Sequence, residues 1–176
     1  LAVRDNRRTR NLILSDWYRE RWGDRFKLSR DQSQKDNFEN DKTGWRLASS
    51  TQASGTGLRG SKVIFDDPIS VAEADSDTSR EKAVRWFRET LPSRLDDPAT
   101  TPIVGIMQRT HGADVAAKAI ELGYETLMLP MRFDPPRRCV TSIGFVDPRE
   151  AEGELLFRER FPEGAVAELE RALGSY

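Results

Sequence analysis

The sequence predicts an α/β fold with a mainly parallel sheet flanked by helices, and three observations carry that prediction. Four short apolar segments have strand character, at residues 45–49, 62–66, 103–107 and 126–131. Amphipathic helical segments separate most of them. The strand segments also lack the strict alternation of a sheet with one wet face, which argues for helices on both faces.

In chain order, Leu12, Ile13, Trp17 and Trp22 recur near helical spacing and Gly23 is a natural stop, so residues 1–22 read as one or two helices. Residues 24–43 are polar, with Asp31, Gln32, Lys35, Asp36, Asn37 and Asn40, and read as loop with a short helical turn. The first two strand segments follow. A helix over 79–91 places Ala83, Trp86, Phe87 and Leu91 on one side, and another over 114–122 does the same with Val115, Ala119 and Leu122. Beyond Pro130 the breaker run Asp134-Pro135-Pro136 leads to a short strand over 140–145 and a last helix over 163–173, capped by Gly174. The 176 residues fit one domain, with the sheet core over 1–133 and an extension over 134–176.

A hydrophobic share of 37%, a charged share of 32% and a mean hydropathy of -0.66 are those of a soluble globular protein. The lone Cys139 excludes an internal disulfide, and with the single His111 it cannot supply a structural zinc site, so a reducing cytoplasmic setting is expected. No apolar run approaches the roughly 20 residues that span a bilayer, so no membrane partner is expected. A net charge of -1 leaves no global footprint for nucleic acid, and any such contact must be local. Arg4, Arg7, Arg8 and Arg10 form one local candidate, although a charge run of this kind is more often a solvated face.

The sharpest feature is Lys62-Val63-Ile64-Phe65-Asp66-Asp67-Pro68, a run of β-formers ending in two carboxylates and a proline. Ligands of parallel sheets sit at the strands' carboxyl ends. Magnesium needs only one or two carboxylates beside substrate phosphates, and Asp66 suits that role. Asp67, directly after it, suits the orientation of an attacking water, although an acidic turn before proline is also common without any ligand. Upstream, Gly55-Thr56-Gly57-Leu58-Arg59-Gly60 can bring backbone close to phosphate, or is simply a flexible loop. Arg59 there suits a guanidinium that reaches a neighbouring subunit's nucleotide. The strand at 103–107 likewise ends in polar groups, and if it neighbours 62–66 in parallel, Gln108 and Arg109 emerge at the same edge as Asp66 and Asp67. Gln108 would then contact a γ-phosphate or its water, whereas His111 reads as a helix-cap or packing residue near Asp114.

Taken in order, Asp16-Trp17-Tyr18-Arg19, Asp31-Gln32-Ser33-Gln34-Lys35, Asn37-Phe38-Glu39-Asn40, Gly55-Thr56-Gly57-Leu58-Arg59-Gly60, the run from Val63 to Pro68, Met107-Gln108-Arg109-Thr110-His111 and Glu159-Arg160-Phe161-Pro162 resemble the ATPase domain of large terminase subunits of tailed bacteriophages. The resemblance spans residues 1–174, and its most specific part is the glutamine-arginine-threonine-histidine run. It implies a RecA-like P-loop NTPase fold, ATP and Mg2+ as cofactors, and a phage or prophage motor that moves double-stranded DNA into a capsid from the host cytoplasm. It also implies a homo-oligomeric ring and, as partners, the portal protein and the small terminase subunit. Carried over by position, Asp66 and Asp67 match the Walker B acidic pair, Gln108 the coupling segment and Arg59 an arginine acting in trans; Gly57 and Arg109 fall among the nucleotide-contacting positions.

The chain departs from that pattern in two places. It holds no Gly-Lys-Ser/Thr phosphate loop, an element expected several dozen positions before residue 1, so ATP hydrolysis by these residues alone is expected to be weak or absent. Asp67 stands where many motor ATPases carry glutamate. A nuclease domain is expected after residue 176, and no cutting activity here. Two rivals stand beside the motor: a two-metal nuclease using Asp66 and Asp67 with Asp114 or Asp97, and a non-catalytic fragment that binds DNA or subunits through its N-terminal arginines. Adjacent carboxylates on a strand point to opposite faces, which weighs against the first.

Overall fold

In the computed structural model, which describes residues 2–34, 36–51 and 57–174 (the side chains of 30–33 excepted), two helices open the chain. They are α1 (Ala2–Leu14) and α2 (Asp16–Trp22), and Ser15 between them accepts from the Tyr18 amide to cap the second. The inner face of α1 is not the expected row of Leu12 and Trp17, both half exposed. It is Asn6, Thr9 and Ile13, at helical spacing, with Thr9 and Ile13 over a cleft of about 210 Å3 that Phe26, Leu28 and Phe38 also line. Asn6 is fully buried because its Oδ1 accepts from Arg46 Nε at 2.9 Å, a bond that ties α1 to residues 40 positions away.

The stretch expected as loop at 24–43 instead builds strands. β1 (Leu28–Ser33), β2 (Asn37–Asn40) and β3 (Trp45–Leu47) form an antiparallel sheet in the order β1-β2-β3, with Phe38 opposite Arg46. The segment at 45–49 therefore belongs to an antiparallel sheet, not to a parallel one. Its turn carries the reason: Asn40 Oδ1 accepts the amides of Lys42 and Gly44, and Thr43 takes a φ of 65°, so local turn chemistry folds the chain back.

The parallel part is a pair. β4 (Val63–Asp66) and β5 (Ile103–Ile106) run parallel with Val63 opposite Ile103, Phe65 opposite Gly105 and Asp66 opposite Ile106. Between them the chain forms α3 (Asp77–Arg85), a π-helical turn over Trp86–Thr90 and a tighter turn over Leu91–Arg94. Ala83, Phe87 and Leu91 are buried on one side of these turns, as the spacing predicts, and the Phe65 ring packs edge-on against Trp86 and tilted against Phe87, at 5.6 and 5.9 Å. Gly105 is needed beneath that ring, since a Cβ there would lie 2.5 Å from Phe65 Cζ. Arg80, itself buried, binds the Ala74 carbonyl and Asp77 and so fixes the connection from β4 to α3.

Helices were expected on both faces of the parallel strands, but only the Phe65 face is covered among the described residues. Ile64, Val104 and Ile106 on the other face stay exposed, Ile64 by 60%. The fold is mixed α/β, with a small parallel pair and a three-stranded antiparallel sheet, rather than mainly parallel.

By its contacts the chain divides into two units, 1–118 and 119–176, with α4 (Val115–Glu121) running across the division. The second unit forms no strand over 126–131; Leu127 and Met128 lie exposed in an irregular segment that pairs with no strand among the described residues. The strand expected at 140–145 shrinks to one bridge, Val140 with Val146. The unit is held instead by α5 (Glu163–Leu173), which ends at Gly174 with a φ of 78°, by Phe133 and Val166, and by a buried ion pair. Asp147, 1% exposed, takes the Arg149 fork with both oxygens at 3.0 and 2.7 Å, while Arg149 also donates to the carbonyl oxygens of Pro130 and Glu154 and lies over the Phe133 ring. The bond from Arg149 holds the Asp147 carboxyl below its ordinary pKa despite burial. Among the described residues no helix is long and apolar enough to cross a membrane.

Candidate functional site

The parallel register decides what meets at the carboxyl edge of β4 and β5. With Asp66 opposite Ile106, the ladder extends one rung further through the Asp67 amide, which donates to the Ile106 carbonyl at 2.9 Å. At the next rung the pattern changes: the Gln108 amide donates not to a backbone carbonyl but to the Asp67 side chain, Oδ1, at 3.1 Å. Asp67 reaches it because its φ is 39°, in the left-handed region that costs most side chains about 1–2 kcal/mol and that aspartate tolerates better than others. Non-glycine residues held there concentrate at functional sites. The two carboxyl ends are thus stitched together by one aspartate.

Asp66 is different. It shares the exposed face with Ile64 by strand alternation, and its carboxylate binds no partner among the described residues. Gln108 and Arg109 follow at the same edge, both exposed. Arg109 Nε donates to Asp114 Oδ2 at 3.3 Å, which leaves its terminal amino groups uncommitted. Asp114, 3% exposed, accepts four donors in all: the amides of Thr110 and His111 on the same oxygen, and the Ala117 amide in the first turn of α4 on the other. Burial pushes its pKa up, but those amides and the Arg109 charge outweigh it, and the carboxyl titrates below the ordinary range. His111 Nδ1 accepts from the Ala113 amide at 3.0 Å, which is a turn-capping role.

Of the six residues singled out from the sequence, the structure brings Asp66, Asp67, Gln108 and Arg109 to one edge. Gly57 and Arg59 lie elsewhere. They precede β4, and Gly60 beside them pairs with Leu95 before the strand's amino end, so the length of β4, about 13 Å, separates that loop from the carboxyl edge. Gly57 takes a φ of 98°, suited to a tight turn, and Arg59 is exposed. Gly55 and Thr56 of that loop, and Lys35 further upstream, lie outside the described residues. Asp114 is the residue whose full part the sequence reading missed, although an Asp just before a periodic segment is a helix-start signal.

An exposed carboxylate at the end of a parallel strand fits magnesium held mostly by waters and phosphate oxygens. No group of three or more His, Cys, Asp or Glu able to hold an ion alone occurs among the described residues. The nuclease rival needed Asp97 or Asp114 as further ligands, yet Asp97 is used in a turn with Ala99 and Thr100, and Asp114 is buried under four donors. On α1, Arg4, Arg7, Arg8 and Asn11 are exposed on the side away from Asn6 and Ile13, with Asp5 serving both Arg4 and Arg8. In comparisons with known protein families, curated proteins and solved structures, the chain matches none.

Proposed function

We propose that this chain is part of a DNA-packaging motor ATPase resembling the large terminase subunit of tailed bacteriophages, with a RecA-like sheet whose β4–β5 carboxyl edge faces Mg2+-ATP. One observation carries it: Asp66, Asp67 and Gln108 leave two parallel strands at the same edge, with Asp67 bonded across to the Gln108 amide. Bound there, Mg2+ would neutralise charge on the β- and γ-phosphates. Asp66, open on its face, would hold the ion. Asp67 keeps one oxygen on Gln108 and turns the other toward an attacking water, whose proton it accepts. Gln108, fixed by that bond at its backbone, presents its amide side chain to the same water. Arg59, at the far end of β4, acts on a neighbouring subunit's nucleotide in the ring, with Gly57 freeing its loop.

Steady-state ATP hydrolysis by the full-length gene product tests this. Asp66→Asn is expected to lower kcat by about 100-fold, some 2.7 kcal/mol of transition-state stabilisation, without moving the thermal midpoint. An Asp66→Asn protein that hydrolyses ATP at the wild-type rate would show that the edge does no such chemistry.

A second reading, binding of double-stranded DNA through α1, is favoured by the outward placement of Arg4, Arg7 and Arg8, a stripe whose arginines match phosphate bidentately. Reversing those three charges is expected to weaken duplex binding and flatten its dependence on salt, measured by anisotropy across a salt series. Unchanged affinity and slope would leave α1 a solvated face.

A further inference from the structure

We propose that Asp114 is a positioning residue, which aims Arg109 at the anionic group bound beside Asp66; this rests on the nucleotide reading of the sheet edge. A helix N-terminus needs only one acceptor from its capping side chain, and Asp114 meets that need with Oδ1 on the Ala117 amide. The other oxygen goes to the segment that follows β5. Oδ2 gathers the amides of Thr110 and His111 at 3.0 and 3.2 Å and Arg109 Nε at 3.3 Å. A buried carboxylate with three of its four donors in residues 109–111 holds that segment in one shape.

The hold has a direction. Gln108, one residue earlier, is pinned at its amide by Asp67, so Arg109 is fixed from both sides: by Asp67 through its neighbour and by Asp114 through its own Nε. Nε is the inner donor of the guanidinium fork, and engaging it sets the plane of the group while the two terminal amino groups stay available. Arg109 is 48% exposed along its side chain, open enough to meet a ligand, whereas Asp114 is closed to solvent. The arrangement is a buried anion orienting a half-exposed cation at the strand end, which suits a phosphate oxygen carrying charge in the transition state.

A capping role and a positioning role separate by substitution. Asp114→Ser keeps a side-chain acceptor for the start of α4 but has no second oxygen for Arg109, Thr110 and His111. In ATP hydrolysis by the full-length gene product, Asp114→Ser and Arg109→Ala are each expected to lower kcat about 10-fold or more with KM within about threefold. The double variant should be no worse than the single ones, because one interaction is lost once. Asp114→Ser with wild-type kcat, or effects that multiply in the double variant, would reduce Asp114 to a helix cap. Arg109→Ala guards against a misfolded Asp114 variant: Arg109 is half exposed, and full activity without it overturns the inference whatever Asp114→Ser does. A wild-type protein without hydrolysis would sink the nucleotide reading and this inference together, whereas an active wild type with an active Asp114→Ser sinks this inference alone.

Discussion

Phe145-Val146-Asp147-Pro148 in the second unit and Ile64-Phe65-Asp66-Asp67-Pro68 in the first have the same plan, apolar residues running into aspartate and proline, yet their carboxylates end in opposite states. Asp147 is buried and closed, both oxygens taken by Arg149 and its carbonyl by Arg138. Asp66 is exposed and unpartnered among the described residues, and Asp67 sits in a left-handed conformation with one oxygen committed to Gln108. Closed ion pairs order a unit that has few strands to order it. Open carboxylates at a sheet edge add nothing to the core and are available to a ligand. The difference lies in what stands opposite the aspartate in space.

Several measurements break or sharpen that contrast, from the largest effect to the smallest. The open edge rests on a closed core, so Phe87→Ala, which strips the cover from Phe65, is expected to cost about 3–5 kcal/mol in denaturant unfolding. A loss below about 1 kcal/mol would mean that the edge is held some other way. Gly105→Val drives a side chain into the Phe65 ring and should cost about 1–3 kcal/mol, a penalty that should be smaller in a Phe65→Ala background, where that ring is gone. Additive losses in that pair would contradict direct contact.

Acid tests the closed pair directly. The folded pKa of Asp147 is lowered, so its stabilisation is complete above the unfolded value near 3.9 and fades as pH falls through the folded one. Amide protection factors over residues 130–154 should therefore fall below about pH 4, and Asp147→Asn should show the lower protection already at neutral pH. Exchange in Asp147→Asn equal to wild type at pH 7 would contradict the closed pair. The smallest effect is expected for Asp67→Asn. Asparagine accepts the left-handed backbone and keeps an Oδ1 for Gln108, so stability should stay within about 0.5 kcal/mol, by chemical denaturation.

How much of this was legible in the sequence follows the same division. β4 and β5 read cleanly because each is a short apolar run rich in β-branched residues, and Ala83, Phe87 and Leu91 read cleanly because their spacing is helical. β1 and β2 did not, since Leu-Ser-Arg-Asp-Gln-Ser and Asn-Phe-Glu-Asn are mostly polar, and the turn that Asn40 fixes leads only from β2 into β3. The apolar run at 126–131 misled in the other direction: strand propensity without a neighbouring strand leaves an exposed irregular segment. In the site, the meeting of Asp67 with Gln108 was foreseeable from two strands ending alike, but the left-handed turn that makes the bond was not. Burial of Asp147 and Arg149 carries no periodic signal, because it depends on carbonyls as far away as Pro130.

The central claim is that the β4–β5 carboxyl edge faces a metal-bound nucleotide, and paramagnetic relaxation tests it on the 176-residue chain itself. Mn2+ titrated with ATP into isotopically labelled protein broadens amides near the ion even when binding is weak. Selective broadening at residues 65–68 and 106–109, lost in Asp66→Asn, is the predicted result. Broadening spread over the acidic surface, or unchanged at that edge in Asp66→Asn, would contradict it.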